Sequence, residues 1–398
     1  MAKKENTPLK KGQAKFQLIG EAKLTDFTYK IDEESQKSDW IYNVLNLGVD
    51  CGGGNVVYAD MMGGYGAERD NVLYVHGVKD GDNGRQQDDW SNRFTIAWED
   101  REDEDILETI GNQCFFTVGL EKDKKGKTFA KKFISQYDAI QYIQEHLEDG
   151  MVINVKGDLK YSIYNETVQI KKEITSVFLS RVDDPANYKA TFTQTVLLDK
   201  DSVGKVNKEK ASYPIYAKVV DYTKMYGDKE VKQNITFDIV LELEVDKAKP
   251  ENTKKFIDKV LKVKKDVSEV SLEGDLVEGQ SLVNITEDDI PDDIKELIDI
   301  GAYTLEDAIS KMAVGNGSKE KRMIVRKPSI KMVGDDEDKK PVIQKRDNAY
   351  KIEDFMFDFM FEDEDADTDD DTPPFDVESE DAKEADDMSW LDALGDDE

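Results

Sequence analysis

Charge is segregated along this chain, and that limits which part of it can fold. Of its 87 Asp and Glu residues, 22 fall in the last 46 positions, Glu353–Glu398, against a single base, Lys383. That stretch carries −21 of the chain's net −32. A segment of this kind repels itself and buries too little apolar surface to offset its ordering entropy. Residues 353–398 are therefore expected to form a disordered acidic tail, and any fold must come from what precedes them. The remaining body holds 65 acids and 54 bases, close enough to balance to carry a basic groove despite a pI near 4.5. The tail also contains large apolar residues in three groups: Phe355–Phe361, Pro373–Phe375 and Met388–Leu394. Acid interleaved with aromatics docks partners or lies in a protein's own basic groove. Phe375, Trp390, Leu391 and Leu394 are the candidate partner-binding residues.

The body has room for two or three domains, each with a core. No apolar run approaches the roughly 20 residues that span a bilayer. The start, Met1–Glu5, is polar and lacks the apolar core of a signal peptide. Two cysteines make no disulfide framework. These features read as a soluble cytoplasmic protein with no membrane partner.

Hydropathy alternates with a period of two over much of the body, and Gly- and Asp-rich turns break it into strands. The basic start, 1–11, reads as a flexible arm. Strands are expected at 16–19, 24–31, 40–51, 55–61, 72–78, 93–98 and 114–120. A helix is expected over 135–149, started by Ser135 and Asp138, with Ile140, Ile143 and Leu147 as its core stripe and Gly150 ending it. Strands follow at 151–156, 157–164 and 167–181, the last two joined by a turn at Asn165-Glu166. Together, 12–182 reads as one nucleic-acid-binding domain. A second β-rich region covers 186–247, with strands at 190–198, 215–222 and 231–245. Residues 252–314 read as helical, with helices at 252–265, 291–300 and 304–314, and 315–352 as a basic linker. The class is mainly β (α+β), with no internal repeat of fixed period.

Catalytic motifs are absent. Gly126-Lys127-Thr128 resembles the end of a phosphate-binding loop, but Glu121 stands where the first glycine is needed. A charged hairpin loop explains it better. Gly63-Gly64-Tyr65-Gly66 lacks the βαβ setting of a dinucleotide site and reads as a mobile loop. Cys51, His76, Cys114 and His146 match no zinc spacing, and the two cysteines read as buried thiols. No enzyme, metal or cofactor is expected.

Aromatic residues that alternate with basic and amide residues on strands are present. Along 159–172, Leu159, Tyr161 and Ile163 point one way, with Val168 and Ile170 beside them in the core. Lys160, Tyr164, Gln169 and Lys171 point the other way. Cations for phosphates and a flat ring for bases suit single-stranded nucleic acid. Trp40 and Tyr42 lie opposite Leu45, Leu47 and Val49. Aromatics are also ordinary strand formers, so each ring alone is weak evidence. Lys124, Lys125 and Lys127 cluster at one hairpin tip.

Gly150–Leu159, leading into an alternating hairpin and a further long strand, resembles the core of an OB-fold, and 13–31 with 40–50 resembles the opening curved hairpin of such a barrel. With the acidic tail, the layout is similar to phage and bacterial single-stranded DNA-binding proteins. The resemblance implies an OB-like β-barrel that holds single-stranded DNA in replication, recombination and repair. It also implies a C-terminus that recruits replication and recombination proteins and competes with DNA for the groove. The chain departs from that family in three ways. It ends Gly395-Asp396-Asp397-Glu398, with its Pro374-Phe375 pair internal. It lacks the zinc cluster of the T-even phage protein, and it is longer than a bacterial subunit. A large phage protein in the host cytoplasm, with one elaborated OB domain or two, fits best. The alternatives are a phage structural or assembly protein, or an acidic DNA-mimic inhibitor.

Overall fold

The computed structural model describes residues 7–280 and 319–357, apart from 82–84, 166, 183, 209, 227–228 and 335–338, together with 290–291, 294–295 and 298. The first half begins with strands β1 (Ala14–Lys23), β2 (Tyr29–Glu34), β3 (Trp40–Asp50) and β4 (Val56–Gly66). A hairpin of β5 (Val72–Asp80) and β6 (Gln86–Ala97) follows, then the short helix α1 (Glu104–Leu107). A second hairpin, β7 (Phe116–Lys122) and β8 (Thr128–Phe133), leads to helix α2 (Gln136–His146). Strands β9 (Val152–Tyr164) and β10 (Thr167–Leu179) complete the half. The two strands expected at 151–156 and 157–164 are thus one continuous β9.

These strands close on themselves. β1 pairs antiparallel with β3 and with β9, β3 with β4, and β9 with β10, while β4 and β10 close the ring in parallel at Asp60 and Glu173. With α2 placed between the third and fourth strands of the ring, the order is that of an OB-fold. Leu45, Leu47, Leu159 and Ile174 fill the interior, each fully buried, and α2 adds Ile140 and Ile143 from one end. The Ser135 hydroxyl caps α2 by accepting from the Tyr137 N–H at 3.1 Å. Asp138 takes no part in that cap and instead binds Arg101 Nε at 2.8 Å.

The second half repeats the order. It comprises β11 (Lys189–Leu198), β12 (Ser212–Tyr226), β13 (Lys229–Glu244), helix α3 (Pro250–Phe256) running into a π-turn at Ile257–Leu261, β14 (Val267–Gln280) and β15 (Lys319–Pro328). β11 pairs with β12 and β14, β12 with β13 and β14 with β15, all antiparallel, and β13 closes on β15 in parallel. This is a second closed five-stranded barrel. Two of its strands occupy stretches expected to be a helical region and a basic linker. The expected helix at 252–265 is observed only as α3 and the π-turn. The expected helices at 291–300 and 304–314 lie almost wholly outside the described residues. Beyond β15, β16 (Ile330–Val333) and β17 (Lys340–Ile343) form a separate hairpin, and β18 (Lys345–Tyr350) adds to β14.

The barrels are joined through their first strands. The N-terminal part of β1 runs antiparallel to that of β11, with Phe16 directly opposite Phe192. Phe16 also lies opposite Gly157 on β9, and Phe192 opposite Gly274 on β14. Each glycine sits at a bulge. A Cβ on Gly157 would stand 1.9 Å from the Glu173 carbonyl oxygen, and one on Gly274 would stand 2.0 Å from that of Ile324. Both glycines begin a Gly-Asp-Leu triplet whose leucine, Leu159 or Leu276, is buried. The chain is thus a structural duplication about a local two-fold between Phe16 and Phe192, although no sequence period reveals it.

Polar bridges fix the junction. Asn55, in the β3–β4 turn, donates to the Leu276 carbonyl and accepts from the Glu278 N–H, both at 2.8 Å. Buried Lys172 pairs with Glu278 at 2.6 Å. Asp221 of β12, also buried, accepts from the Tyr161 N–H at 3.2 Å and pairs with Lys11. The described part of the expected basic arm is therefore anchored: Leu9 is buried and its carbonyl accepts from Asn234. The first residues of the expected acidic tail are also folded. Ile352–Phe355 is a 3₁₀ turn whose Asp354 is buried and accepts from the Thr7 N–H at 3.1 Å. Residues after Phe357 lie outside the described residues, and so does the expectation of disorder there. Among the described residues no helix is long and apolar enough to cross a membrane.

The two glycines give a direct test. Gly157→Ala and Gly274→Ala should each lower the urea-unfolding free energy by about 1–3 kcal/mol or more, because backbone must move to admit the methyl group. An unchanged unfolding midpoint in either variant would contradict the bulge geometry.

Candidate nucleic-acid interface

The outer surface of the first barrel is set by strand parity. Lys160 lies opposite Lys171, Ser162 opposite Gln169 and Tyr164 opposite Thr167, so Lys160, Tyr164, Gln169 and Lys171 share one face of the β9–β10 hairpin. On the other face the hairpin tip outruns the barrel. Ile163 and Ile170, expected in the core, are exposed there, and Lys172 turns inward to Glu278.

That face is not a free basic surface. Following the register around the barrel, Asn46 lies opposite Asp60, Asp60 beside Glu173, Glu173 opposite Asp158 and Asp158 opposite Lys15. This row of carboxylates pairs with the nearby lysines: Lys171 with Asp60 at 3.6 Å, Lys160 with Glu173 at 3.7 Å, and Lys15 with Asp158. Burial holds the Asp60 carboxyl above its ordinary value, although Lys171 and Lys172 pull it down. Lys160 and Lys171 would have to exchange a carboxylate for a phosphate to bind nucleic acid.

Trp40 and Tyr42 do lie on the outward side of β3, opposite Gly66 and Gly64. Their rings stack on each other at 4.8 Å and 17°, so each already covers one face of its neighbour.

The β7–β8 turn differs. The Asp123 carboxylate accepts from the N–H groups of Lys125 and Lys127, and the Gly126 N–H bonds the Asp123 carbonyl at 2.8 Å. A strand follows, not a helix, so this turn is a charged hairpin tip and not a phosphate-binding loop. Among the described residues, Lys124, Lys125 and Lys127 are exposed and make no ion pair. Phe129, two residues further on, is 55% exposed. β7 runs parallel to β10 at Ser176–Phe178, which fixes the basic hairpin to the strand that carries Lys171.

The second barrel offers a surface that sequence reasoning passed over. On β12 and β13, Tyr216 lies opposite Val240, Lys218 opposite Asp238 and Tyr222 opposite Asn234. Tyr216 and Tyr222 are 54% and 50% exposed. The alternation from Ile215 to Val219 carried that signal. Tyr216 and Lys218 also line a cleft of about 430 Å³, together with Phe355.

The glycine-rich run 63–66 is the end of strand β4 and not a loop. Of the four metal-ligand types, His146 stacks on Tyr142 and bonds its carbonyl, while Cys51 is buried. His76 and Cys114 do meet, at 3.1 Å. Among the described residues no set of three metal-ligating side chains converges. Phe375, Trp390, Leu391 and Leu394 lie outside the described residues.

The YorF family model matches residues 92–301, more than half of the chain. The chain belongs to the YorF family. The matched stretch starts in β6 and runs beyond β14, so the YorF match crosses the junction between the barrels. No curated protein matches the chain. Among solved structures, the wild-type single-stranded DNA binding protein from Thermus aquaticus is similar at 10% identity and a TM-score of 0.29, over 68% of this chain and 87% of that one. A likeness of that size carries no argument about this YorF-family chain.

Burial pushes the Cys51 thiol up to about 12. At pH 8 a thiol reagent should leave Cys51 unmodified in the native protein and label it only after unfolding, as read by peptide mass mapping. Labelling at the native rate of an exposed thiol would contradict its burial.

Proposed function

We propose that this chain is a non-catalytic single-stranded DNA-binding protein, phage-encoded, acting in the host cytoplasm in DNA replication, recombination or repair. One observation carries the reading. The β7–β8 hairpin sets three unpaired lysines beside exposed Phe129, on the flank of a barrel of OB order. Cations with a flat ring are what a sequence-tolerant single-strand binder uses, and base stacking contributes about 1–3 kcal/mol per base. Exposed Tyr216 and Tyr222 extend the stacking surface to the second barrel, where Lys218 is already paired with Asp238. A barrel alone implies no ligand, so the reading rests on these side chains. The tail beyond Phe357 serves to recruit replication or recombination proteins through Phe375, Trp390, Leu391 and Leu394.

Fluorescence anisotropy with labelled oligo-dT tests the reading. The full chain should bind below micromolar concentration. The triple variant Lys124→Ala, Lys125→Ala, Lys127→Ala should flatten the slope of log K against log salt by about 2, at roughly 0.7 per phosphate. Lys160→Ala should change that slope less, because Glu173 already pairs with Lys160. Tyr216→Ala with Tyr222→Ala should weaken binding by about 1–3 kcal/mol per base lost. Absence of binding by both the full chain and a chain lacking 358–398 would refute the proposal. For the tail, Trp390→Ala with Leu391→Ala and Leu394→Ala should leave oligo-dT affinity unchanged and remove proteins that co-purify with the full chain.

A further inference from the structure

We infer that Cys114 is a modification site, a nucleophilic thiol set up by His76 and Asp88 to exchange with small-molecule disulfides. The site lies outside both barrels, in the lobe made by β5, β6, α1 and the 3₁₀ turn Asn112–Cys114. That lobe has its own core of Val75, Ile96, Ile110, Phe115 and Ile134.

The three side chains form a relay. Cys114 Sγ is 3.1 Å from His76 Nδ1, and His76 Nε2 is 2.9 Å from Asp88 Oδ1. Burial works against ionisation of Asp88, but the Gln113 N–H and the His76 ring outweigh it and hold the carboxyl below its ordinary value. An ionised carboxylate only accepts, so Nε2 carries the imidazole proton and Nδ1 is left as an acceptor facing the thiol. This is the orientation a base needs beside a nucleophile, with the base held by a third group.

The surroundings preserve it. The Trp90 ring stacks on His76 at 3.9 Å. Gly111 leaves the space, since a Cβ there would stand 2.5 Å from the His76 ring and 2.4 Å from Asp88 Oδ1. The His76 ring is buried, whereas Cys114 is only partly so. Burial pushes the Cys114 thiol above its ordinary value despite the His76 N–H, and the Asp88 charge adds to that. Cys114 therefore rests as a thiol and gives up its proton during attack.

The exchange is balanced. Sγ attacks one sulfur of the small disulfide while its proton passes to His76 Nδ1. The reagent's S–S bond breaks, and the departing thiolate takes the proton back from His76. The protein keeps a mixed disulfide at Cys114 and one small thiol is released.

Dithiodipyridine is the probe, used on the full chain at pH 7, with release of the thiopyridone followed by absorbance and the labelled cysteine found by peptide mapping. Cys114 should react at least about tenfold faster in the native chain than in the chain unfolded in guanidinium, less than the roughly 10²–10⁴-fold of a positioned base because burial of the thiol opposes it. Asp88→Asn, which can still accept from the Gln113 N–H, and His76→Gln should each remove that excess. Thermal unfolding reports whether the variants retain the fold, and if His76→Gln does not, Asp88→Asn decides. A native rate no faster than the unfolded one, an unchanged rate in a folded Asp88→Asn variant, or reaction first at Cys51 would overturn the assignment.

Discussion

The ladder between β1 and β11 is the constraint on which the rest of the structure depends. In a five-stranded barrel the first strand is long and curved and must find partners along both edges. Here the leading half of each first strand takes its second partner from the other barrel, at Phe16 and Phe192. Neither barrel satisfies its backbone alone, and an unpaired buried N–H or C=O is costly. Each phenylalanine packs over the glycine and bulge of the strand beside it, so the contact that joins the barrels also sets the curvature that closes them. Asn55, the Lys172–Glu278 pair and buried Asp221 then hold the barrels in one orientation.

Electrostatics on the outer strands follows from the same register. Cross-strand neighbours of opposite sign meet wherever the ladder places them, so the lysines of β9 and β10 face the carboxylates of β4 and β10. Arg322 pairs with Glu242 at 2.6 Å, Arg326 with Asp275 at 2.6 Å and Lys327 with Glu273 at 3.1 Å. On these strands, arginines and lysines are thus paired with carboxylates of the neighbouring strand. Among the described residues some strand lysines, such as Lys131 and Lys132 of β8, make no ion pair either, but at the β7–β8 turn three such lysines, Lys124, Lys125 and Lys127, fall within four residues.

Much of the first barrel was legible in its sequence because the apolar period of two is uninterrupted from Leu159 to Ile163, and Ser135 and Gly150 mark the ends of a helix with a clear stripe. β14 and β15 were not. The basic run before β14 and the Lys and Arg residues around Met323-Ile324-Val325 read as helix and linker. The charges of β15 sit in a strand paired with Glu242, Glu273 and Asp275 on its neighbours, and composition does not show pairing between residues that far apart. Strand parity places Lys160, Tyr164, Gln169 and Lys171 on one face of the hairpin, as the alternation implies, but it does not show that Ile163 and Ile170 are exposed at the tip. Glu173 stood two residues from Lys171 in the same strand and gave warning of neutralisation, whereas Asp60 could be placed only by the fold. The spacing of His76 and Cys114 tests for a shared metal but not for a thiol beside an imidazole, which only the fold brings together.

The antiparallel ladder between equivalent strands has a consequence for any linear ligand. A two-fold axis relates the outer face of β3–β4 to that of β12–β13 and reverses direction between them. A nucleic-acid chain has a direction, from its 5′ to its 3′ end. A strand passing straight across both barrels would meet the two faces in opposite polarity, and equivalent contacts on both would require it to turn back on itself. On the proposed function, the duplication therefore would not simply double a binding surface. It would allow either two different modes of contact on one straight strand or one mode on a looped strand.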